Sequence, residues 1–160
     1  MSKTWKLKIW IMPPQVKGSY ASIEVPPGIA DDILGEENKK RIILTFDNGT
    51  RFHRALQRFK EGYSLITLGK ATLKDAKKEA GLEETITLEY DHSEFGMAFP
   101  EEMQEVLEQD EEGNILFRNL KPGMQRNMLY YVSSSKTSET RIKRALEVVE
   151  KIKTGYFNKN

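Results

Sequence analysis

The chain has 160 residues, 38% of them hydrophobic and 31% charged, with a net charge of +1. That balance fits a globular fold of one domain, or two small ones, and excludes a disordered chain. The absence of cysteine excludes disulfides and thiol chemistry and is compatible with a cytoplasmic protein.

The charge is unevenly spread: residues 1–71 carry +5, residues 72–112 carry −11, and residues 121–160 carry +6. Either the acidic middle and basic end neutralise each other within one fold, or the basic end offers a surface to an anionic partner. The opening MSKTWKLKIWIM is interrupted by lysines and lacks the continuous apolar core of a signal peptide. No apolar run approaches the roughly 18 residues that would span a bilayer.

In chain order, Trp5, Leu7, Ile9 and Ile11 alternate with Lys6, Lys8 and Trp10, as in a half-buried strand. Trp5 and Trp10 then fall on opposite faces, one of them in the core. Pro13-Pro14 ends that strand. Tyr20 to Val25 forms a second, and Ile29 to Leu34 makes a helical turn after Pro26-Pro27-Gly28. Lys40 to Phe46 and Thr50 to Leu56 are strands joined at Asp47-Asn48-Gly49, where Asn-Gly suits the positive φ of a type I′ turn. Tyr63 to Leu68 is the fifth strand. Ala71 to Gly81 is a short helix, with Thr72 and Asp75 resembling a capping box and Gly81 as its stop. Thr85 to Tyr90 is the sixth strand. Six short strands with one helix inserted before the last predict a small β-barrel.

Phe95, Met97 and Phe99 form an extended linker, placing the seam between the halves near residues 91–99. Pro100 to Gln109 is an acidic helix with Met103, Val106 and Leu107 inward, and Phe99 staples its start. Asp110 to Asn114 reads as a solvated turn. Pro122 to Val132 is a helix with Met124, Met128, Leu129 and Val132 on one face. After SSSKTSETR, the apolar stripe Ile142, Ala145, Leu146, Val149, Ile152 and Tyr156 marks a second, basic helix capped by Thr137 or Ser138. Gly155 supplies its stop. The two close as a helical hairpin.

No catalytic constellation, metal site or cofactor motif emerges. His53 and His92 have no second His or Cys at ligand spacing. His53 reads as a surface or edge residue among Arg51 and Arg54. Asp91-His92-Ser93 is too compact in sequence to converge as nucleophile, base and orienter. Ser133, Ser134 and Ser135 form a polar connector, Gly62 and Gly69 are isolated, and the carboxylates from Glu101 to Glu112 lie on a helix surface.

One cluster carries a functional reading: Arg126, Lys136, Arg141, Lys143 and Arg144. Arg141 and Arg144 on one side of a helix, with Lys136 at the turn, could hold a phosphate or carboxylate, Arg in bidentate fashion and Lys as a point charge. The alternative is a set of salt bridges to the acidic helix.

At these residues the chain resembles a known family. Phe117-x-x-Leu120, then GMQRNMLYYV, then Lys136-x-x-x-Thr140-Arg141-x-x-Arg144, is similar to the C-terminal motif of the YdeI/OmpD-associated, or bacteriocin-protection, family. The stretch YSLITLGKATLKDAKKEAGLEETITLEYD resembles the domain of unknown function that commonly precedes it, although Leu82-Glu83-Glu84-Thr85-Ile86 replaces the usual Gly-Asp turn. The resemblance spans roughly residues 3–92 and 99–157. It implies a bacterial, non-secreted stress-response protein with no established catalytic activity, and a first domain similar to double-split β-barrels.

The resulting expectation is an α+β protein. Residues 1–92 form a double-split-type β-barrel with one short inserted helix, and residues 93–160 a three-helix unit. Lys136, Thr140, Arg141, Arg144 and Arg126 form an anion-accepting site or an interdomain clamp. The partner is an unknown protein or a small anionic ligand. Nucleic acid is a less favoured partner, because the aromatics are not interleaved with the basic run. A small-molecule enzyme with a site at the seam is the remaining alternative.

Overall fold

The computed structural model describes residues 4–17, 19–35 and 40–156. Residues 3 and 157, the outer bounds of the family resemblance, lie outside them. The chain divides into two compact units, residues 1–92 and 93–160. Together they form an α+β protein with seven strands and six helices among the described residues.

The first unit contains two antiparallel sheets. One has the order β1-β7-β3-β4, from β1 (Thr4–Trp10), β7 (Glu83–Tyr90), β3 (Arg41–Phe46) and β4 (Arg51–Ala55). The other has the order β2-β6-β5, from β2 (Ala21–Val25), β6 (Ser64–Leu68) and β5 (Gln57–Arg58). The predicted fourth strand, Thr50 to Leu56, is β4, and the short β5 that follows it was not predicted. Leu56 turns its side chain into the core while its N–H bonds Lys40 O at 2.9 Å, and the chain passes from one sheet to the other there.

Alternation explains the core. Ile42, Leu44 and Phe46 point inward from β3, Ile86 and Leu88 from β7, Ile23 and Val25 from β2, and Ile66 and Leu68 from β6. Trp5 packs on this core and donates its indole N–H to Asp32 at 2.7 Å, tying β1 to α1 (Ile29–Leu34). Trp10, on the opposite face, is exposed.

The hairpin at Asp47-Asn48-Gly49 forms, but not as a type I′ turn. Among its residues only Gly49 has positive φ, at 89°, and its N–H bonds Phe46 O. Phe46 N–H in turn bonds Thr50 O, so this is a three-residue loop with glycine at the left-handed position. The Asn48 side chain reaches out of the loop, and its Nδ2 donates to Ala76 O at 2.7 Å.

That bond falls at the end of α2 (Lys70–Ala76), which is shorter than predicted and displaced from its expected cap. Thr72 lies inside the helix, nearly buried, with its hydroxyl accepting from Arg54 Nη2 at 2.5 Å. The stop is Lys77 in the left-handed region, with Lys78 N–H reaching back to Leu73 O at 2.9 Å. Lys78 then bridges Asp47 and Glu84, at 2.7 and 2.8 Å.

The second unit holds four helices rather than three: α3 (Glu101–Gln109), α4 (Glu111–Arg118), α5 (Pro122–Ser133) and α6 (Ser138–Lys153). The additional one, α4, replaces the predicted turn at Asp110–Asn114. Asp110 caps it by accepting from Gly113 N–H at 2.9 Å, and Glu111 and Glu112 suit the positive end of its dipole. Gly113 is there for proximity, not for a turn. A Cβ on it would sit 2.5 Å from Val149 Cγ1 of α6.

Phe95 belongs to this unit's core and not to a linker. Its ring packs against Phe99 and Phe117 with centroids 5.1 and 5.4 Å apart. Met103, Leu107, Phe117, Leu129 and Val132 complete the core with Ala145, Val148, Val149 and Ile152 of α6. The inward stripe of α6 is rotated from the expected one. Val148 is buried, whereas Ile142, Leu146 and Tyr156 are exposed. Rotation in that sense brings Arg141, four residues before Ala145, to the edge of the packed face.

Candidate functional site

The site grows from the α5–α6 turn. Thr137 caps α6, its hydroxyl accepting from Thr140 N–H at 3.2 Å and donating to Thr140 Oγ1 at 2.9 Å. This fixes the first turn of α6 and directs Arg141 and Arg144 back over the connector.

Arg141 donates Nε–H to Glu102 Oε1 at 2.5 Å and Nη1–H to Ser135 O at 3.0 Å. Glu102 is nearly buried at the start of α3. The Arg141 hydrogen bond foremost, aided by a backbone N–H and the Ser138 hydroxyl, holds its carboxyl below the usual glutamate value.

Arg144 donates from Nη1 to Tyr131 O and to Ser134 Oγ, both at 2.9 Å, with its guanidinium 4.6 Å from the Tyr131 ring centroid. It thus satisfies a carbonyl in the last turn of α5 and places a cation at that helix's negative end. Tyr131 passes the network on, donating its hydroxyl to Glu147 at 2.9 Å, and that bond chiefly lowers the Glu147 pKa.

The sequence candidates therefore separate, with Lys143 exposed on α6. Lys136, Thr140, Arg141 and Arg144 share the turn. Arg126 lies on α5, about 12 Å along the axis before Ser134 at the usual helical rise. Arg141 and Arg144 are engaged with acceptors of their own unit. Lys136 is exposed, and among the described residues neither it nor Arg126 makes a hydrogen bond or ion pair.

Beside the turn, Met128, Tyr131 and Val148 line a groove of about 310 Å³ between α5 and α6, with Asn127, Glu147 and Lys151 around them. Tyr130, next to it in sequence, is 69% exposed, and Leu146 on α6 is 55% exposed.

The first unit holds a pair that the sequence reading missed. His53 Nδ1 lies 2.7 Å from Asp91 Oδ2, and the Asp91 side chain is fully buried. His53 is therefore not simply an edge residue. Its partner is 38 positions away, and only the β3–β4 and β3–β7 registers bring them together. Among the described residues no group of three or more His, Asp or Glu side chains is placed to hold a metal ion. No described helix is long and apolar enough to cross a membrane.

The helical unit is thus a small bundle whose connector is held by two arginines, one anchored on a nearly buried glutamate. Residues 97–155, within this unit, match the family described as Bacteriocin-protection, YdeI or OmpD-Associated. The match includes Phe117, Leu120, Lys136, Thr140, Arg141 and Arg144. No curated protein matches the chain.

Proposed function

We propose that the protein is a non-enzymatic binding or adaptor protein of bacterial stress-response type, acting in the cytoplasm through its helical unit. The observation that carries this is the apolar groove lined by Met128, Tyr131 and Val148. The occupant that suits it is an amphipathic helix of a partner protein, laid in by its apolar face. In this reading Arg141 and Arg144 hold the turn that sets the groove's geometry. The two sheets of the first unit are read as a split barrel. Two features support that: the Met12–Ser22 bridge beyond β1, and the passage from β4 to β5 through Leu56.

The test is fluorescence anisotropy of labelled amphipathic-helix peptides with the full chain and with Tyr131→Glu. Binding weakened at least about tenfold in the variant, with an intact fold by circular dichroism, supports the groove. Equal binding by both proteins rejects it.

A second reading, an anion acceptor formed by Lys136, Thr140, Arg141 and Arg144, is favoured by the exposed and unengaged Lys136. Salt-sensitive retention on heparin, reduced by Lys136→Ala, would favour that reading, and with short DNA as competitor would extend it to nucleic acid.

A further inference from the structure

We infer a second binding site, in the first unit, for a small zwitterion with an aromatic side chain, such as a free aromatic amino acid. It lies where the β5–β6 hairpin meets the segment leading into α1. A cavity of about 370 Å³ there is lined by Asp31, Arg58, Phe59 and Tyr63, together with Gly28 and Ser64.

The chemistry is that of opposite charges held apart. Asp31 and Arg58 line one cavity, yet no ion pair joins them, and neither side chain has a hydrogen-bond partner among the described residues. A ligand bearing both an ammonium and a carboxylate bridges them, the carboxylate on the Arg58 fork and the ammonium on Asp31. Phe59 and Tyr63 supply aromatic surface for the ligand's side chain. The volume suits an amino acid and lies at the small end of ligand pockets.

The walls are preorganised. Glu61 adopts φ 52°, costly for a residue other than glycine, and Gly62 follows at 82°. The turn is closed by Phe59 N–H to Tyr63 O and Tyr63 N–H to Lys60 O, both 2.9 Å. A Cβ on Gly62 would stand 3.4 Å from Pro27 Cβ, so the hairpin tip rests on the segment that carries Gly28 and Asp31. The turn so closed fixes the positions of Phe59 and Tyr63 on the cavity wall.

The experiment titrates the full chain with L-phenylalanine, N-acetyl-L-phenylalanine and L-phenylalaninamide, followed by amide chemical shifts. The blocked compounds remove the ammonium and the carboxylate in turn. The expected result is saturable binding of phenylalanine with shifts at Gly28 and Gly62, at least about tenfold weaker for each blocked compound. Arg58→Ala and Asp31→Asn, both at exposed positions, should each lose binding. Absence of saturable phenylalanine binding, equal binding of the blocked compounds, or unchanged affinity in both variants would overturn the inference. The blocked compounds act on the wild-type protein, so the result does not depend on how the variants fold.

Discussion

Arg141 and Glu102 meet at 2.5 Å, joining the first turn of α6 to the first turn of α3 across 39 residues of sequence. The bond puts a cation against a nearly buried carboxylate, while a second guanidinium nitrogen holds the connector at Ser135. Arg141→Ala leaves Glu102 without its charge partner, and removal of one member of such a pair costs more than removal of both. The melting temperature of Arg141→Ala should fall by several degrees, and Glu102→Gln in the same background should recover part of it. Thermal unfolding of the two single variants and the double variant measures the coupling. Additive losses would show that the two side chains do not act together.

Gly113 sets how closely α4 approaches α6. With Val149 Cγ1 only 2.5 Å from the position a Cβ would take, Gly113→Ala should cost about 1–3 kcal/mol through overpacking, against the usual gain of Ala over Gly within a helix. Val149→Ala should relieve the clash. Urea denaturation of the single and double variants tests this, and a more stable Gly113→Ala would contradict it.

Thr137 is the cap of α6. Thr137→Ala should lose about 1 kcal/mol, while Thr137→Ser or Thr137→Asp should lose little. Hydrogen exchange at the Thr140 amide, which Thr137 Oγ1 holds, should quicken in the alanine variant alone.

Asn48 fastens the β3–β4 hairpin to the last carbonyl of α2. Asn48→Ala should cost about 1 kcal/mol, the worth of a neutral hydrogen bond. Asn48→Asp should cost more, because a carboxylate would then face the Ala76 carbonyl. Amide exchange in α2 reads the loss directly, and unchanged exchange would remove Asn48 from that role.

Acid should weaken the helical unit. Glu102 is held low by Arg141, Glu147 chiefly by the Tyr131 hydroxyl, and Asp110 chiefly by the Gly113 N–H and then Lys153. A carboxyl lowered on folding contributes stability above its unfolded value, 4.5 for Glu and 3.8 for Asp, and that stability is lost as pH falls through the lowered folded value. Lys153, raised chiefly by Asp110, and Lys78, raised chiefly by Asp47, act at the other end. Their contribution is complete below the ordinary 10.5 and is lost as pH rises through the raised value. Denaturant midpoints followed from neutral pH into acid and into alkali should fall at both ends.

Much of the strand pattern was legible because period-two alternation writes the buried face directly into residues such as Ile42, Leu44 and Phe46. The cap of α6, narrowed to Thr137 or Ser138, and both helices of the hairpin were legible because capping and amphipathic spacing are local. Asp110 to Asn114 misled, since a run of acids with a glycine is the composition of a turn and also of a capped first helical turn. The stripe of α6 misled for a related reason. Leu146 and Val148 are both apolar, and which of them faces inward depends on where α3, α4 and α5 lie.

The candidate site residues could be picked out in the chain, since Lys136, Thr140, Arg141 and Arg144 are close together in it. Their partners could not, because Glu102, Tyr131 and Ser135 become acceptors only when the helices pack. The pairings of His53 with Asp91 and of Asn48 with Ala76 have the same origin. Element identity follows from local spacing and backbone preference, which residues carry within a few neighbours. Contacts between side chains far apart in the chain depend on register and helix rotation, which arise when apolar faces are buried against one another.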